Sequence, residues 1–497
     1  MTSKRIVVSS VLLLVLAGLI LPARAQDDGC GAPDLGDPYY PGAGNGGYDA
    51  LHYALDIAVD MDTNVIEATA TIAAVATQDL SRFNLDLLGF EIGALTVNGA
   101  PAEFSREERE LIITPTDLVA EGDTFTVSVR YSGVPGEGVS EPAATLSGGW
   151  TRHDAGVFVA SEPVGAAEWF PVNDHPLDKA TYTIRVTVPE PYVVASNGLL
   201  QDTIAEGDQI TYVWETIYPM ASYLVTVNIG DFVVRSYEGP NGLPIRNYCP
   251  RRLVDACEDT FALTGDMIEF FSQIAPYPFE AYGVVVTDTE FTFALETQTL
   301  SLFGCEITNP DSWQRAGGPE FVIAHELAHQ WFGNSVSPAR WEDIWLNEGF
   351  ATYMQNLWMR ESWGDDWADG FLAGWYDYIT HPDPASPFVT IGTPPPDDLF
   401  NSAVYVRGGL TLAALHARVG EEVFFDILRT YYERYQYGNA TTDDFIAVAE
   451  ELSGDDLSAF FQAWLFADQM PAIPELGLGE SKATGSTESN TYTNHGG

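Results

Sequence analysis

Alternation of apolar and polar positions governs the first half of the chain. Tyr53, Leu55, Ile57 and Val59 stand two apart, the rhythm returns at Tyr182, Ile184, Val186 and Val188, and again at Tyr223, Val225, Val227 and Ile229. Successive side chains on a strand point to opposite faces, so each run predicts a half-buried strand. With frequent Gly, Pro and Asn turn signals, residues 48–236 read as an all-β domain. Past Gly239-Pro240-Asn241-Gly242 the texture changes to longer segments of helical spacing, at 255–274, 319–332, 347–360, 406–418 and 421–435, with a β-rich stretch at 282–302. Residues 237–475 are therefore expected to form a mixed α/β domain.

The flanks carry other signals. Lys4 and Arg5, sixteen uncharged residues from Ile6 to Leu21, and Ala23-Arg24-Ala25 have the layout of a cleaved secretory signal over 1–25. A spanning helix needs about 20 apolar residues, so a membrane anchor is not expected. Residues 26–47, rich in Gly, Pro and Asp, read as an irregular arm, and 476–497 as a polar, disordered tail.

Within the second domain stands His325-Glu326-Leu327-Ala328-His329, followed nineteen positions later by Glu348. On a helix, imidazoles four apart project from one face, so both reach one ion at about 2.0–2.1 Å, and a carboxylate from a second helix completes three ligands. The open fourth position admits water, whose pKa zinc lowers to about 7. Glu326, beside His325 but not needed as a ligand, is placed to take that water's proton and pass it to the leaving nitrogen. The plain alternative is an amphipathic helix with two histidines four apart by chance. Only eight histidines occur in the chain, and Glu348 falls in a second helical segment, which favours one zinc per chain. A strand followed by such a helix pair is the arrangement of a thermolysin-like metallopeptidase domain.

Charge removes one class of partner. The net charge of −49, with lysine only at 4, 179 and 482, excludes nucleic acid. The acidic residues are spread along the chain, which reads as a solvated surface rather than a field that gathers cationic peptides. Four cysteines, Cys30, Cys249, Cys257 and Cys305, are an even number suited to an oxidising compartment. Of the three pairings, the local one joins Cys249 to Cys257 and leaves Cys30 to staple the arm to Cys305; buried thiols are the other reading.

Taken together, residues 48–474 resemble the zinc aminopeptidases of the aminopeptidase N group, related to the leukotriene hydrolases. The resemblance is carried by His325 through Asn334, by Trp341 and Asp343, and by Trp345 through Ala351. It implies a saddle-like N-terminal β domain, a thermolysin-like catalytic domain, zinc on His325, His329 and Glu348, and Glu326 as the base. Phe293-Ala294-Leu295-Glu296-Thr297 resembles the family's exopeptidase loop, Gly-Ala-Met-Glu-Asn. The resemblance implies that Glu296, with Ala294 beside it, meets a substrate's free α-amine, while Phe293 and Thr297 depart from the usual loop. Glu162, followed by Trp169-Phe170-Pro171, Asp174, Pro176 and Lys179-Ala180, resembles the second amine-binding residue. Tyr405, in Tyr405-Val406-Arg407-Gly408-Gly409, resembles the tyrosine whose hydroxyl donates to the oxyanion. Longer members continue into a small β-sandwich and a helical domain that roofs the site, whereas this sequence stops soon after residue 474.

The expected activity is a secreted or periplasmic aminopeptidase acting on peptides with a free N-terminus. A thermolysin-like endopeptidase would share the zinc set but have no amine for Glu296 and Glu162 to bind. A non-catalytic peptide-binding module would be expected to have lost the base or a ligand, and all four motif residues are present. The leukotriene branch's epoxide hydrolysis is not excluded by sequence, although that branch is cytosolic.

Overall fold

A computed structural model describes residues 29–137, 148–313, 317–381 and 389–479. The expected signal at 1–25 and the tail beyond 479 lie outside the described residues. Two of the alternating runs lie side by side. Tyr48–Asp60 pairs parallel with Thr181–Pro189, with Tyr53 opposite Tyr182, Leu55 opposite Ile184 and Ile57 opposite Val186. All six are buried, and the rings of Tyr53 and Tyr182 stack at 5.0 Å. They sit in an eight-stranded sheet whose next strands on either side are Val65–Ala76 and Gln209–Glu215.

The third run behaves differently. Only Val227–Gly230 is a strand, in a four-stranded sheet beside Gly156–Ala160, whereas Ser222–Leu224 is a 3-10 turn. Asn197 satisfies the backbone there, its Nδ2 donating to the Leu224 carbonyl at 2.9 Å and its Oδ1 accepting from the Thr226 amide at 2.8 Å. Tyr223, Val225, Val227 and Ile229 are all buried, but so are the residues between them, so the spacing no longer reports one face.

The second half begins within the expected β domain. Phe232–Glu238 pairs with Pro244–Pro250 in a five-stranded mixed sheet, so the boundary set at 236 falls inside a strand of the second domain. Tyr282–Val286 and Ser301–Phe303 continue the sheet in parallel, and the two-residue strand Ala294–Leu295 closes its edge antiparallel, Ala294 opposite Phe303. The expected helix at 255–274 is two, Val254–Thr260 and Thr264–Phe271. Three helices build the site: Pro319–Ala328, with Pro at its first position, Trp345–Trp363, and Ser402–Val419, capped by Asn401, whose Oδ1 accepts from the Ala403 amide at 2.9 Å. The last two pack backbone to backbone. A Cβ on Gly349 would lie 2.8 Å from the Gly408 Cα, so only glycine brings the Tyr405 helix this close to the Glu348 helix. Helices Asp365–Thr380 and Thr442–Ser453 were not anticipated, although Thr441 and Asp444 form a capping box.

The irregular arm ties the halves together. Asp37 accepts from the Trp341 amide at 2.8 Å and faces His175 Nε2 at 3.1 Å, and the Tyr39 hydroxyl donates to the Pro394 carbonyl at 2.6 Å. Lys179, from the β domain, donates to the carbonyls of Asn334 and Ser335, just past the helix Pro319–Ala328, and of Gly438, all at 2.8–3.1 Å. Residues 476–479, expected in the tail, are held by a bridge between Ile473 and Leu478. Cys249 and Cys257 form a disulfide that pins the first short helix to its strand, their Cα atoms 6.5 Å apart. The Cys30–Cys305 disulfide is not formed. Cys30 bridges to Arg82 of the β domain, while Cys305 opens a turn of the second domain beside Arg252.

Candidate active site

The four-residue spacing of His325 and His329 turns both imidazoles toward Glu348 on the neighbouring helix. Glu348 Oε2 lies 3.1 Å from His325 Nε2 and 3.4 Å from His329 Nε2. Ligands about 2.0–2.1 Å from a tetrahedral ion are about 3.3 Å from one another, so this set has the spacing of a zinc site. His329 Nδ1 lies 3.1 Å from the Phe332 carbonyl, which leaves its Nε2 for a metal, and His325 also meets the side chain of Gln355. All three donors are buried, and the donor set of two imidazoles and a carboxylate fits zinc.

Glu326 clusters with His329 of this set and with Glu296: each of the three places an atom within 4.8 Å of the others. The loop is fastened from below by the zinc motif's own continuation. Gln330 Nε2 and Asn334 Nδ2 donate to the Glu296 carbonyl at 3.0 and 2.6 Å, and Gln330 Oε1 accepts from the Thr299 amide at 2.9 Å. Asn197 Nδ2 donates to the Gln298 carbonyl at 2.7 Å from the β domain. Thr299 takes the positive φ of this loop, 67°, so Phe293 in the family's glycine position needs no left-handed backbone. Ala294, half-buried, opens the edge strand.

Glu162 arrives from the β domain, just past Gly156–Ala160, and is buried. Burial pushes its carboxyl well up from the ordinary range, and the charges of Glu296, Glu348 and Glu326 push it further. Tyr405, on its own helix, stacks over His325 with ring centroids 5.9 Å apart. Burial, followed by Glu348, Glu162, Glu296 and Glu326, holds its hydroxyl protonated far above neutrality. Burial also raises Glu326, which His329 opposes and Glu296 and Glu348 reinforce. Burial would lower His329, but Glu296, Glu348 and Glu326 carry it up to about 10. Four buried carboxylates around two imidazoles thus form a site short of positive charge.

Two family models cover most of the chain: the peptidase M1 N-terminal domain at residues 49–224 and the peptidase family M1 domain at residues 260–464. The chain belongs to peptidase family M1. An M1 zinc metallopeptidase from Deinococcus radiodurans superposes with a TM-score of 0.79 at 28% identity, over 88% of this chain and 99% of that one. Aminopeptidase 2 of Candida albicans is 25% identical over 87% of this chain and 49% of its own length. Leucyl aminopeptidase of Saccharolobus solfataricus is 27% identical over 78% of this chain and 50% of its own. The chain thus spans about half the length of the curated relatives it matches.

In this M1 chain the structure gathers His325, His329, Glu348, Glu326, Glu296, Glu162 and Tyr405 at one place. It adds residues that sequence reasoning passed over. Tyr223, buried in the 3-10 turn, reaches Glu296 and accepts from Asn347 Nδ2 at 3.4 Å. Gln330 and Asn334 stood in the quoted motif without a role; their long-range partner is a backbone carbonyl, which leaves no sequence signal. Glu162 and Glu296 each keep one buried oxygen without a hydrogen-bond partner. Such an acceptor costs about 1–3 kcal/mol unless a ligand supplies the donor.

Proposed function

We propose that this chain is a zinc-dependent aminopeptidase that hydrolyses the first peptide bond of peptides with a free α-amine. The observation that carries the reading is the pair of unpartnered buried oxygens on Glu162 and Glu296, from two domains, beside the zinc donors. An ammonium group supplies the donors and the positive charge that both lack. A blocked or internal peptide supplies one neutral amide N–H for two carboxylates and no positive charge, which disfavours the endopeptidase alternative. The names of the relatives as aminopeptidases support the reading, as does a Deinococcus neighbour solved with a Tyr-Ser-Ala substrate.

His325, His329 and Glu348 hold the zinc, which when bound supplies Lewis acidity to water and to the scissile carbonyl. Glu296 and Glu162 hold the amine and so set the position of the first peptide bond. Glu326, within 4.8 Å of both His329 and Glu296, takes the proton from the attacking water and delivers it to the leaving nitrogen. Burial raises its carboxyl, which favours the later donation. Tyr405 keeps its proton and donates a hydrogen bond to the oxyanion.

Export is part of the proposal. It is supported by the layout of residues 1–25 and by the Cys249–Cys257 disulfide. No described helix is long and apolar enough to cross a membrane. The function is tested by metal analysis of the purified protein together with release of the first residue from a free tripeptide. One zinc per chain and chelator-sensitive release are expected; metal-independent release would overturn the proposal. N-terminal sequencing of the mature protein checks export, with cleavage expected after Ala25.

A further inference from the structure

Just past Glu296 the chain turns on a residue that is ill suited to turning. The Leu300 amide donates to the Thr297 carbonyl at 3.0 Å, and Thr299, third in this turn, has a φ of 67°. Glycine or asparagine is the ordinary choice there, whereas a β-branched residue enters the left-handed region only under strain. Such strain persists where the surroundings over-determine it. Thr299 is fully buried, and three parts of the molecule hold it. Its amide donates at 2.9 Å to Gln330, on the segment that continues from His329. Its Oγ1 accepts from the Gly198 amide of the β domain at 2.9 Å and from Arg246 Nη2 at 3.3 Å, and its carbonyl accepts from Arg246 Nη1 at 3.4 Å. Arg246, buried on the strand Pro244–Pro250, also donates to the carbonyls of Ser196, Gly198 and Tyr282. Asn197, between Ser196 and Gly198, donates to the Gln298 carbonyl at 2.7 Å.

The segment that grips Thr299 belongs to the sheet that carries Glu162. Ser196 ends the strand Val193–Ser196, which pairs with Val227–Gly230, and that strand pairs in turn with Gly156–Ala160, two residues before Glu162. We infer that Thr299 is a positioning residue: its hydroxyl sets the register of the Glu296 loop against the Glu162 sheet, and so the spacing of the two carboxylates that share one ammonium. This role rests on the aminopeptidase reading. It explains why a strained threonine stands in the turn. Glycine would take the same backbone freely but would leave the Gly198 amide and Arg246 short of one buried acceptor. A residue that served only the turn would be replaced by glycine without loss.

The test compares the zinc-loaded parent with Thr299→Gly and Thr299→Ser. Calorimetry measures binding of L-leucinol, which carries an amine, and of acetohydroxamate, which binds a metal and carries none; kcat/KM is measured on a free tripeptide. Thr299→Gly is expected to bind leucinol about tenfold more weakly and acetohydroxamate within about twofold of the parent, with zinc retained and kcat/KM lowered about 10- to 100-fold. Thr299→Ser keeps the hydroxyl and is expected to stay within about threefold of the parent throughout. A Thr299→Gly protein that matches the parent, one that weakens both ligands alike, or a serine variant as impaired as the glycine one overturns the inference. If Thr299→Gly does not fold or loses zinc, Asn197→Asp, which withdraws the donor to Gln298, takes its place with the same expected and overturning results. A parent that cleaves no tripeptide fails the aminopeptidase reading, and the leucinol affinities still decide the role of Thr299. A parent that binds leucinol no more tightly than Thr299→Gly then overturns it.

Discussion

Replacing Glu296 by Gln removes one charge from the site and almost no volume. The Glu296 carbonyl is held by Gln330 and Asn334, so the loop has no reason to move. What disappears is the attraction between a buried carboxylate and the substrate ammonium. At about 3 Å and an effective dielectric near 20, that attraction is about 5 kcal/mol before solvation is counted. Losing one partner of a buried charge pair costs about 2–5 kcal/mol. Glu162 continues to hold the amine, so we expect the lower part of this range, about 2–4 kcal/mol, or a fall in kcat/KM of about 30- to 1000-fold. The assay compares a free tripeptide with its N-acetyl analogue. The acetylated peptide has no charge to lose, so the free-over-acetylated ratio should fall by nearly the whole factor, with zinc content and melting temperature retained. A ratio within about threefold of the parent's would refute the assignment of Glu296 to the amine.

Glu326→Ala should keep the zinc and abolish turnover, because the base is not a ligand, whereas His325→Ala should lose both; metal analysis beside peptide hydrolysis separates the two. Tyr405→Phe should slow the chemical step about 10²- to 10³-fold with KM near the parent's, the cost of one oxyanion donor, and a parent-like kcat would leave the ring as packing over His325. Lys179→Met should lower stability by about 2–4 kcal/mol, since the three carbonyls it joins across the domain boundary lose their donor, as thermal unfolding would record. Glu110, half-buried and facing the Asn84 side chain, is raised by burial and by Asp86 from 4.5 to about 8. Its folded pKa lies above its unfolded one, so the fold loses stability as pH rises from about 4.5 through about 8. Glu110→Gln should therefore raise the melting temperature at pH 9 relative to the parent and change it little at pH 4.

The cluster of His325, His329 and Glu348 was legible because much of its geometry is local. Two histidines one helical turn apart share a face by periodicity alone, and the helix that carries Glu348 follows closely and packs against theirs. Glu162 is a different case: it comes from another domain and was found by resemblance, since nothing in its neighbours reports that it is buried. Tyr223 was read as a strand residue because its run alternates, but a segment buried on all sides carries no face to read. The helix Asp365–Thr380 escaped notice because Gly370 and Gly374, with an aromatic-rich sequence, weaken its helical signature. Cysteine counting likewise carries no distances. It placed Cys249 with Cys257, eight residues apart, and then assigned Cys30 to Cys305 by elimination, although the fold puts them on different domains.

The central claim is that two glutamates from two domains read a free α-amine beside the residues that would hold zinc. Mass-spectrometric mapping of products from one peptide library, offered with free and with acetylated N-termini, tests it most directly. The account predicts stepwise loss of single residues from the free peptides and essentially no products from the acetylated ones. Internal cleavage of the acetylated peptides at a comparable rate would contradict it.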